Sequence, residues 1–251
     1  MTRRLVVLLA VGLMAACGGS SAGATSSTPQ TSLTVFAAAS LQPAFDKIGA
    51  RLMTTGNVKT TFIYAGTQVL TSHLTQGAQA DVFASADTAH MTTVETAGLL
   101  SGPSQIFVRN RLEITVAKGN PKGIHTLADL ARTGLVVVLA DPSVPAGKYA
   151  QQALTKAHVT VKPASFELQV TGVLSKVALG EADAGIVYVS DVVTSGRVDG
   201  VTIPEDQNVL ADYPIATLKS ASNAAGAKAF IDFVLSPDGQ AILKAAGFQG
   251  V

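Results

Sequence analysis

Small neutral residues stand at four places where a predicted strand ends and a predicted helix begins. The first backbone N–H groups of a helix lack partners within the helix and carry a partial positive charge. Serine and threonine hydroxyls can also donate hydrogen bonds, and glycine lets a ligand approach the backbone closely. Together, such junctions can bind a small anion without a basic side chain. The four junctions are Ala39-Ser40-Leu41, Gly66-Thr67-Gln68, Pro145-Ala146-Gly147 and Val170-Thr171-Gly172.

Each junction also has an ordinary structural explanation. Serine and threonine are common helix N-caps, and glycine and proline are common in turns. The spacing of the junctions along the chain does not bring them to one point. In parallel α/β sheets, however, ligands bind beyond the carboxyl ends of the strands, which is where these junctions lie. A shared anion site therefore depends on the fold.

Motifs typical of enzymes are absent from Leu33 onward. This part of the sequence contains no G-x-S-x-G, G-x-G-x-x-G or H-E-x-x-H motif. The Gly147-Lys148 pair lacks a glycine five residues earlier and is followed by tyrosine, so it is no P-loop. We therefore predict that the protein is not an enzyme; a hydrolase with Ser40 or Thr67 as nucleophile is the alternative. The histidines show no metal-ligand spacing: His73, His90, His125 and His158.

The beginning of the chain has the pattern of an export signal. Two arginines precede an apolar run, Leu5 to Ala16, which is shorter than the roughly 20 residues that span a bilayer. Two alanines stand directly before Cys17, as in bacterial lipoprotein signals, although Met14 replaces the usual aliphatic residue. We expect residues 1–17 to be a signal peptide ending at a lipidated Cys17, with ordinary cleavage as the alternative. Residues 18–32 are then a flexible tether to the outer face of the cell membrane.

Composition limits the possible classes of partner. The chain is 47% hydrophobic, which is enough to form a sizeable core after Leu33. It has one cysteine, so packing rather than an internal disulfide must hold the fold together. Its 18 basic and 17 acidic side chains nearly balance, which gives no indication of nucleic-acid binding. We expect a monomer.

Helical and extended patterns alternate along the chain, which predicts an α/β fold with largely parallel strands. The predicted strands are Leu33–Ala38, Lys59–Tyr64, Asp81–Ser85, Leu112–Ala117, Leu135–Ala140 and Ala184–Val189. The predicted helices are Leu41–Met53, Gln68–Gln76, Thr88–Ala97, Gly147–Ala157, Gly172–Leu179 and Ala224–Leu235. Because domains of about 100 to 150 residues are common, we predict two lobes. One lobe comprises residues 33–109 with 211–251, the other comprises residues 110–210, and two crossing segments join them.

Five short runs of sequence are informative when taken together, although single short motifs within them mean little alone. They are VFAAASL (35–41), ADVFASAD (80–87), DPSVPAGKYA (141–150), GIVYVSD (185–191) and SPDGQAILKAAGF (236–248). In order and separation they resemble the periplasmic molybdate-binding protein family. The resemblance implies the two-lobed type II periplasmic binding-protein fold, with a ligand cleft between the lobes. It also implies delivery of molybdate or tungstate to the permease and ATPase of an ABC importer. No cofactor is expected, and no metal other than molybdenum within the oxyanion.

The resemblance also implies five ligand-binding residues. Ser40 and Thr67 would each donate from the hydroxyl and the backbone N–H, although many members have serine where this chain has Thr67. Ala146 and Val170 would donate backbone N–H groups, and Tyr188 its phenolic O–H. Without the resemblance, Tyr188 would be read as a buried aromatic residue whose hydroxyl satisfies a carbonyl.

Other ligands stay open within the same fold, namely sulfate, thiosulfate, phosphate or an iron complex. Phosphate is disfavoured because its bound proton would need an acceptor carboxylate. An iron complex is disfavoured because the sequence shows no cluster of tyrosine and histidine. We also expect Lys148, which follows the third junction, to point to solvent rather than act as a counter-ion, because burying an unpaired lysine is costly.

Overall fold

The computed structural model describes residues 31–56 and 58–251. The predicted signal peptide, Cys17 and nearly all of the predicted tether lie outside these residues. The strands are β1 Thr31–Ala38, β2 Val58–Ala65, β3 Val82–Ala84, β4 Gln105–Ala117, β5 Val137–Ala140, β6 Ser165–Glu167, β7 Ala184–Tyr188, β8 Val198–Thr202 and β9 Leu210–Thr217. The helices are α1 Gln42–Gly56, α2 Thr67–Thr75, α3 Thr88–Thr96, α4 Pro145–Lys156, α5 Val170–Ala178, α6 Val189–Ser195, α7 Ala224–Leu235 and α8 Pro237–Ala245.

All the predicted helices and strands are present, within a few residues at most ends. Strand β1 begins at Thr31, so the last two residues assigned to the tether belong to the sheet. Strand β4 begins at Gln105, seven residues before its predicted start. Strands β6, β8 and β9 and helices α6 and α8 were not predicted from the sequence.

The prediction of largely parallel strands is wrong, because the sheet is mixed. Its order is β2-β1-β3-β9-β4-β7-β5-β6, with β8 paired to β4. Strand β1 is parallel to β2 and β3, and β5 is parallel to β6 and β7. The other pairings between described strands, all of which involve β4 or β9, are antiparallel.

Strands β4 and β9 connect the two parallel groups. The first half of β4, residues 105–111, pairs with β9, and its second half, residues 112–117, pairs with β7 and β8. The predicted lobe boundaries at residues 109/110 and 210/211 fall within β4 and at the start of β9. We retain the division into two lobes as a proposal.

The core is formed by the apolar faces of helices packed on the sheet. In α1 the buried residues Ala44, Phe45, Ile48 and Leu52 recur at helical spacing and form one face. The Phe45 ring lies 5.9 Å from the Phe107 ring of β4 and 5.5 Å from the Phe230 ring of α7. This packing fixes the helix that follows β1, and with it the first junction. Within the described residues, no helix has the length and apolar character needed to cross a membrane.

Candidate anion-binding site

The four sequence junctions converge on one small cavity. About 220 Å³ of space between its walls is unfilled by protein atoms, a volume that includes open solvent. All five predicted site residues line it, and they come from both parallel strand groups. The residues that line the cavity are Ala38, Ala39, Ser40, Gly66, Thr67, Ala86, Val144, Pro145, Ala146, Val170 and Tyr188.

Sheet register explains this convergence. Ala38 at the end of β1 pairs with Ala65 at the end of β2, so the first two junctions leave neighbouring strands side by side. Ala140 at the end of β5 pairs with Glu167 at the end of β6, so the third and fourth junctions are likewise adjacent. Because the carboxyl ends of parallel strands share an edge, each group presents its helix starts together. The cavity lies between the two groups.

Ser40 lies in a single 3-10 turn, Ala39–Leu41, that leads from β1 into α1. Its side chain is buried, and its Oγ lies 3.0 Å from Oη of Tyr213, where either hydroxyl can donate. Tyr213 belongs to β9 and is fully buried. Tyr213 was not among the predicted site residues, because β9 was not predicted from the sequence.

Thr67 is the first residue of α2, and its hydroxyl has a fixed acceptor role. Its Oγ1 accepts a hydrogen bond from the backbone N–H of Ala86 at 3.2 Å, so its own proton is available for a ligand. The preceding Gly66 leaves no space for a side chain. A Cβ there would lie 2.5 Å from the carbonyl oxygen of Leu168 and 2.5 Å from Oε1 of Gln68. Gln68 Nε2 also donates to Leu168 O at 2.9 Å, so the two sides of the cavity are in contact.

Ala146 lies in the first turn of α4, which begins with Pro145. Proline suits this position because its fixed φ is helical and its missing N–H would have no helical partner. The helical hydrogen bonds begin with Lys148 N–H, which donates to Val144 O at 2.9 Å. The N–H of Ala146 therefore precedes the intrahelical series and faces the cavity end of the helix. Lys148 itself is exposed and does not line the cavity, as predicted.

Val170 plays the same part at the start of α5. It is the first residue of the helix and is buried. The N–H of Gly172 donates to Gln169 O at 3.1 Å. The N–H of Val170 therefore precedes the first hydrogen-bonded turn and has no acceptor within the helix. Two backbone donors from this side of the cavity thus complement the two hydroxyls from the other.

Tyr188 ends β7 and caps α6. Its side chain is 1% exposed, and its Oη has no hydrogen-bond partner among the described residues. Its ring meets that of Tyr213 edge-on, with centroids 5.8 Å apart. Burial is the main cause that raises the pKa of Tyr188 well above its ordinary value, and the charge interaction with Tyr213 raises it further. The phenol therefore stays protonated at neutral pH and can act only as a neutral donor to an anion.

The cavity wall is neutral, and a buried acid, Asp191, contacts the backbone of the lining residue Tyr188. None of the described side chains that line the cavity is ionisable except Tyr188. Asp191, in the first turn of α6, accepts a hydrogen bond from Tyr188 N–H at 3.0 Å. Burial raises the pKa of Asp191 to about 7. Within the described part of the chain, no group of three or more histidine, cysteine or acidic residues could hold a metal ion.

This arrangement favours binding over nucleophilic catalysis. The hydroxyl of Ser40 has a phenol as its partner, and that of Thr67 has a backbone N–H. Neither partner is a base that could remove the hydroxyl proton. What the cavity offers is a ring of N–H and O–H donors at helix N-termini, which suits a small ion that only accepts hydrogen bonds.

Comparison with known proteins gives concordant results. The family model described as bacterial extracellular solute-binding protein matches residues 33–249. The molybdate-binding protein ModA of Mycobacterium tuberculosis is 45% identical over 250 residues, covering 97% of this chain and 95% of that protein.

Two solved structures share the fold. The periplasmic molybdate-binding protein of Azotobacter vinelandii aligns with a TM-score of 0.77 at 19% identity, covering 86% of this chain and 98% of that one. The sulfate-binding protein SubI of Mycobacterium tuberculosis aligns with a TM-score of 0.79 at 20% identity, covering 88% of this chain and 87% of that one. The fold alone therefore does not select the anion.

Proposed function

The chain belongs to the bacterial extracellular solute-binding protein family, and from this premise we propose that it binds molybdate, and also tungstate, for delivery to an ABC importer. The fold is the periplasmic binding-protein fold, as predicted. The ligand identity is inferred from the 45% identity to a molybdate-binding protein together with the chemistry of the cavity.

One observation carries the proposal. The hydroxyl of Tyr188 is buried in the cavity wall without a hydrogen-bond partner in the described structure. A buried polar group without a partner is costly, and this one lines the cavity, where a ligand could become its partner. Because the phenol is neutral and protonated, the missing partner is an acceptor. An oxyanion oxygen supplies one.

The proposed ligand is fully ionised and small. A molybdate dianion has no proton, so all of its oxygens accept, which matches donors from Ser40, Thr67, Ala146, Val170 and Tyr188. A protonated phosphate would need an acceptor, and the described lining offers no carboxylate. Sulfate is the alternative; its bonds to oxygen are shorter, and we propose that cavity size discriminates against it.

We propose that the ligand is held between two lobes that open and close. The bond from Gln68 to Leu168 and the close approach at Gly66 join segments from the two sides of the cavity, as in a closed receptor. An anion bound by donors from both sides stabilises the closed state through contacts that the open state lacks. The importer's permease and ATPase would then receive the ion. We propose no cofactor, a monomeric receptor, and a lipid anchor at Cys17.

Calorimetric titration tests the proposal. The purified protein should bind molybdate and tungstate tightly and with similar affinity, because the two dianions have the same shape and charge. Sulfate should bind far more weakly, and phosphate should not bind. Equal affinity for sulfate would contradict selection by size, and binding of sulfate alone would replace molybdate as the ligand.

A further inference from the structure

Tyr213 stands behind Ser40, outside the cavity lining. It is fully buried in β9, one of the two strands that connect the parallel groups. Its ring is held edge-on against Tyr188 at 5.8 Å and against Phe248 at 5.6 Å. The position of its hydroxyl is therefore fixed by packing, 3.0 Å from Ser40 Oγ.

The direction of the bond between these two hydroxyls matters for an anion. Each hydroxyl has one proton to donate. If Ser40 gave its proton to Tyr213, it would turn an oxygen lone pair toward a negatively charged ligand. For Ser40 to donate to the ligand, Tyr213 must be the donor in the bond between them.

Tyr213 has a proton to donate. Burial raises the pKa of Tyr213 above its ordinary value, so the phenol stays protonated at neutral pH. Its oxygen lies 3.0 Å from Ser40 Oγ, and either hydroxyl can donate across that distance. Donation from Tyr213 to Ser40 leaves the Ser40 proton free for the ligand.

We infer that Tyr213 is a positioning residue for the anion site, whose hydroxyl donates to Ser40 and so directs the Ser40 proton into the cavity. This inference rests on the proposed function, because it assumes a ligand that only accepts hydrogen bonds. Strand β9, which joins the two parallel strand groups, would then contribute to ligand affinity through Tyr213, although Tyr213 does not touch the ligand.

A double-mutant cycle tests the inference, with molybdate affinity measured by calorimetry. Tyr213→Phe keeps the ring and removes the donor, so we expect affinity to fall roughly two- to tenfold. Ser40→Ala should weaken binding roughly tenfold or more, because it removes a hydrogen bond to a charged ligand. In the Ser40→Ala background, Tyr213→Phe should change affinity by less than about twofold, since the residue on which it acts is gone.

The matched control is Tyr64→Phe, which removes a tyrosine hydroxyl outside the cavity lining and should leave affinity unchanged. An equal loss from Tyr213→Phe in both backgrounds would indicate a merely structural role and overturn the inference, as would no loss in either. If the wild-type protein binds neither molybdate, tungstate nor sulfate, the proposed function itself fails and the inference falls with it.

A second measurement serves if Tyr213→Phe does not fold. In the wild-type protein bound to molybdate, NMR should show the Tyr213 hydroxyl proton in through-space contact with the β protons of Ser40. A Ser40 hydroxyl proton directed at Tyr213 instead would overturn the inference.

Discussion

Replacing Tyr188 with phenylalanine is expected to affect folding and ligand binding in opposite directions. In the closed arrangement that the structure shows, the Tyr188 hydroxyl is buried and makes no hydrogen bond among the described residues. Removing a buried group that lacks a partner relieves a desolvation cost of about 1–3 kcal/mol. The free energy of unfolding of the ligand-free variant should therefore be unchanged or rise by up to that amount. For a chain of this size each kcal/mol corresponds to roughly 2–4 °C in Tm.

Binding should weaken in the same variant. A hydrogen bond from a phenol to a dianion is charge-assisted, and such bonds contribute about 1.5–3 kcal/mol. Its loss corresponds to a Kd for molybdate roughly 10 to 150 times higher. The ligand-induced increase in Tm should shrink correspondingly, because that increase depends on the ratio of ligand concentration to Kd.

The assay combines calorimetric titration with thermal unfolding in the presence and absence of molybdate. Tyr64→Phe is the matched control, because Tyr64 Oη donates to Asp46 Oδ1 at 2.8 Å and does not line the cavity. The control should lower Tm slightly and leave Kd unchanged. A Tyr188→Phe variant with a lower ligand-free Tm and an unchanged Kd would refute the reasoning, since the hydroxyl would then serve the fold rather than a ligand.

Two further substitutions test other parts of the site. Gly66→Ala would place a Cβ 2.5 Å from Leu168 O, and the resulting overpacking of about 1–3 kcal/mol should weaken molybdate binding roughly 5- to 150-fold by calorimetry. Gly102→Ala is the control and should bind as wild type, because open space surrounds Gly102. Equal affinities for all three proteins would show that the segments at Gly66 and Leu168 need not approach each other for binding. Burial raises the pKa of Asp191 from 3.8 to about 7, so its destabilising contribution is absent below about pH 4, grows as pH rises to about 7 and is constant above. Asp191→Asn should therefore gain more stability over wild type at pH 8 than at pH 4 in urea unfolding, and a parallel pH dependence of the two proteins would contradict this.

Strands that depend on distant partners were not predicted from the sequence. Strand β9 escaped prediction because Pro214 argues against a paired strand. In the structure Pro214 lies where the β4 register shifts between Ile106 and Val108, and its carbonyl accepts from Ser85 N–H. A proline, which has no N–H, is tolerated at such an irregularity.

The early part of β4 was missed for a related reason. Two arginines interrupt its apolar pattern, so the sequence resembles a loop there. In the sheet Arg109 pairs with Asp212 of β9 at 2.8 Å, a cross-strand partner that lies 103 residues away. Local pattern gives no information about such pairs, which stabilise a strand only when the partner strand is in place. The mixed direction of the sheet follows from the same two strands.

The sequence by itself determined where the four junctions stand and that each begins a helix with small neutral residues, because those properties are local to each junction. The anion was predicted only from the resemblance of five sequence runs to a known family. Only the tertiary structure decided that the junctions line one cavity, that Thr67 Oγ1 accepts a hydrogen bond from Ala86 N–H, and that the Tyr213 hydroxyl lies within hydrogen-bond distance of Ser40. Ser40 and Tyr213 are 173 residues apart in the chain. Their contact exists only because β1, β3 and β9 lie side by side in one sheet, and strand order is set by packing of the whole chain.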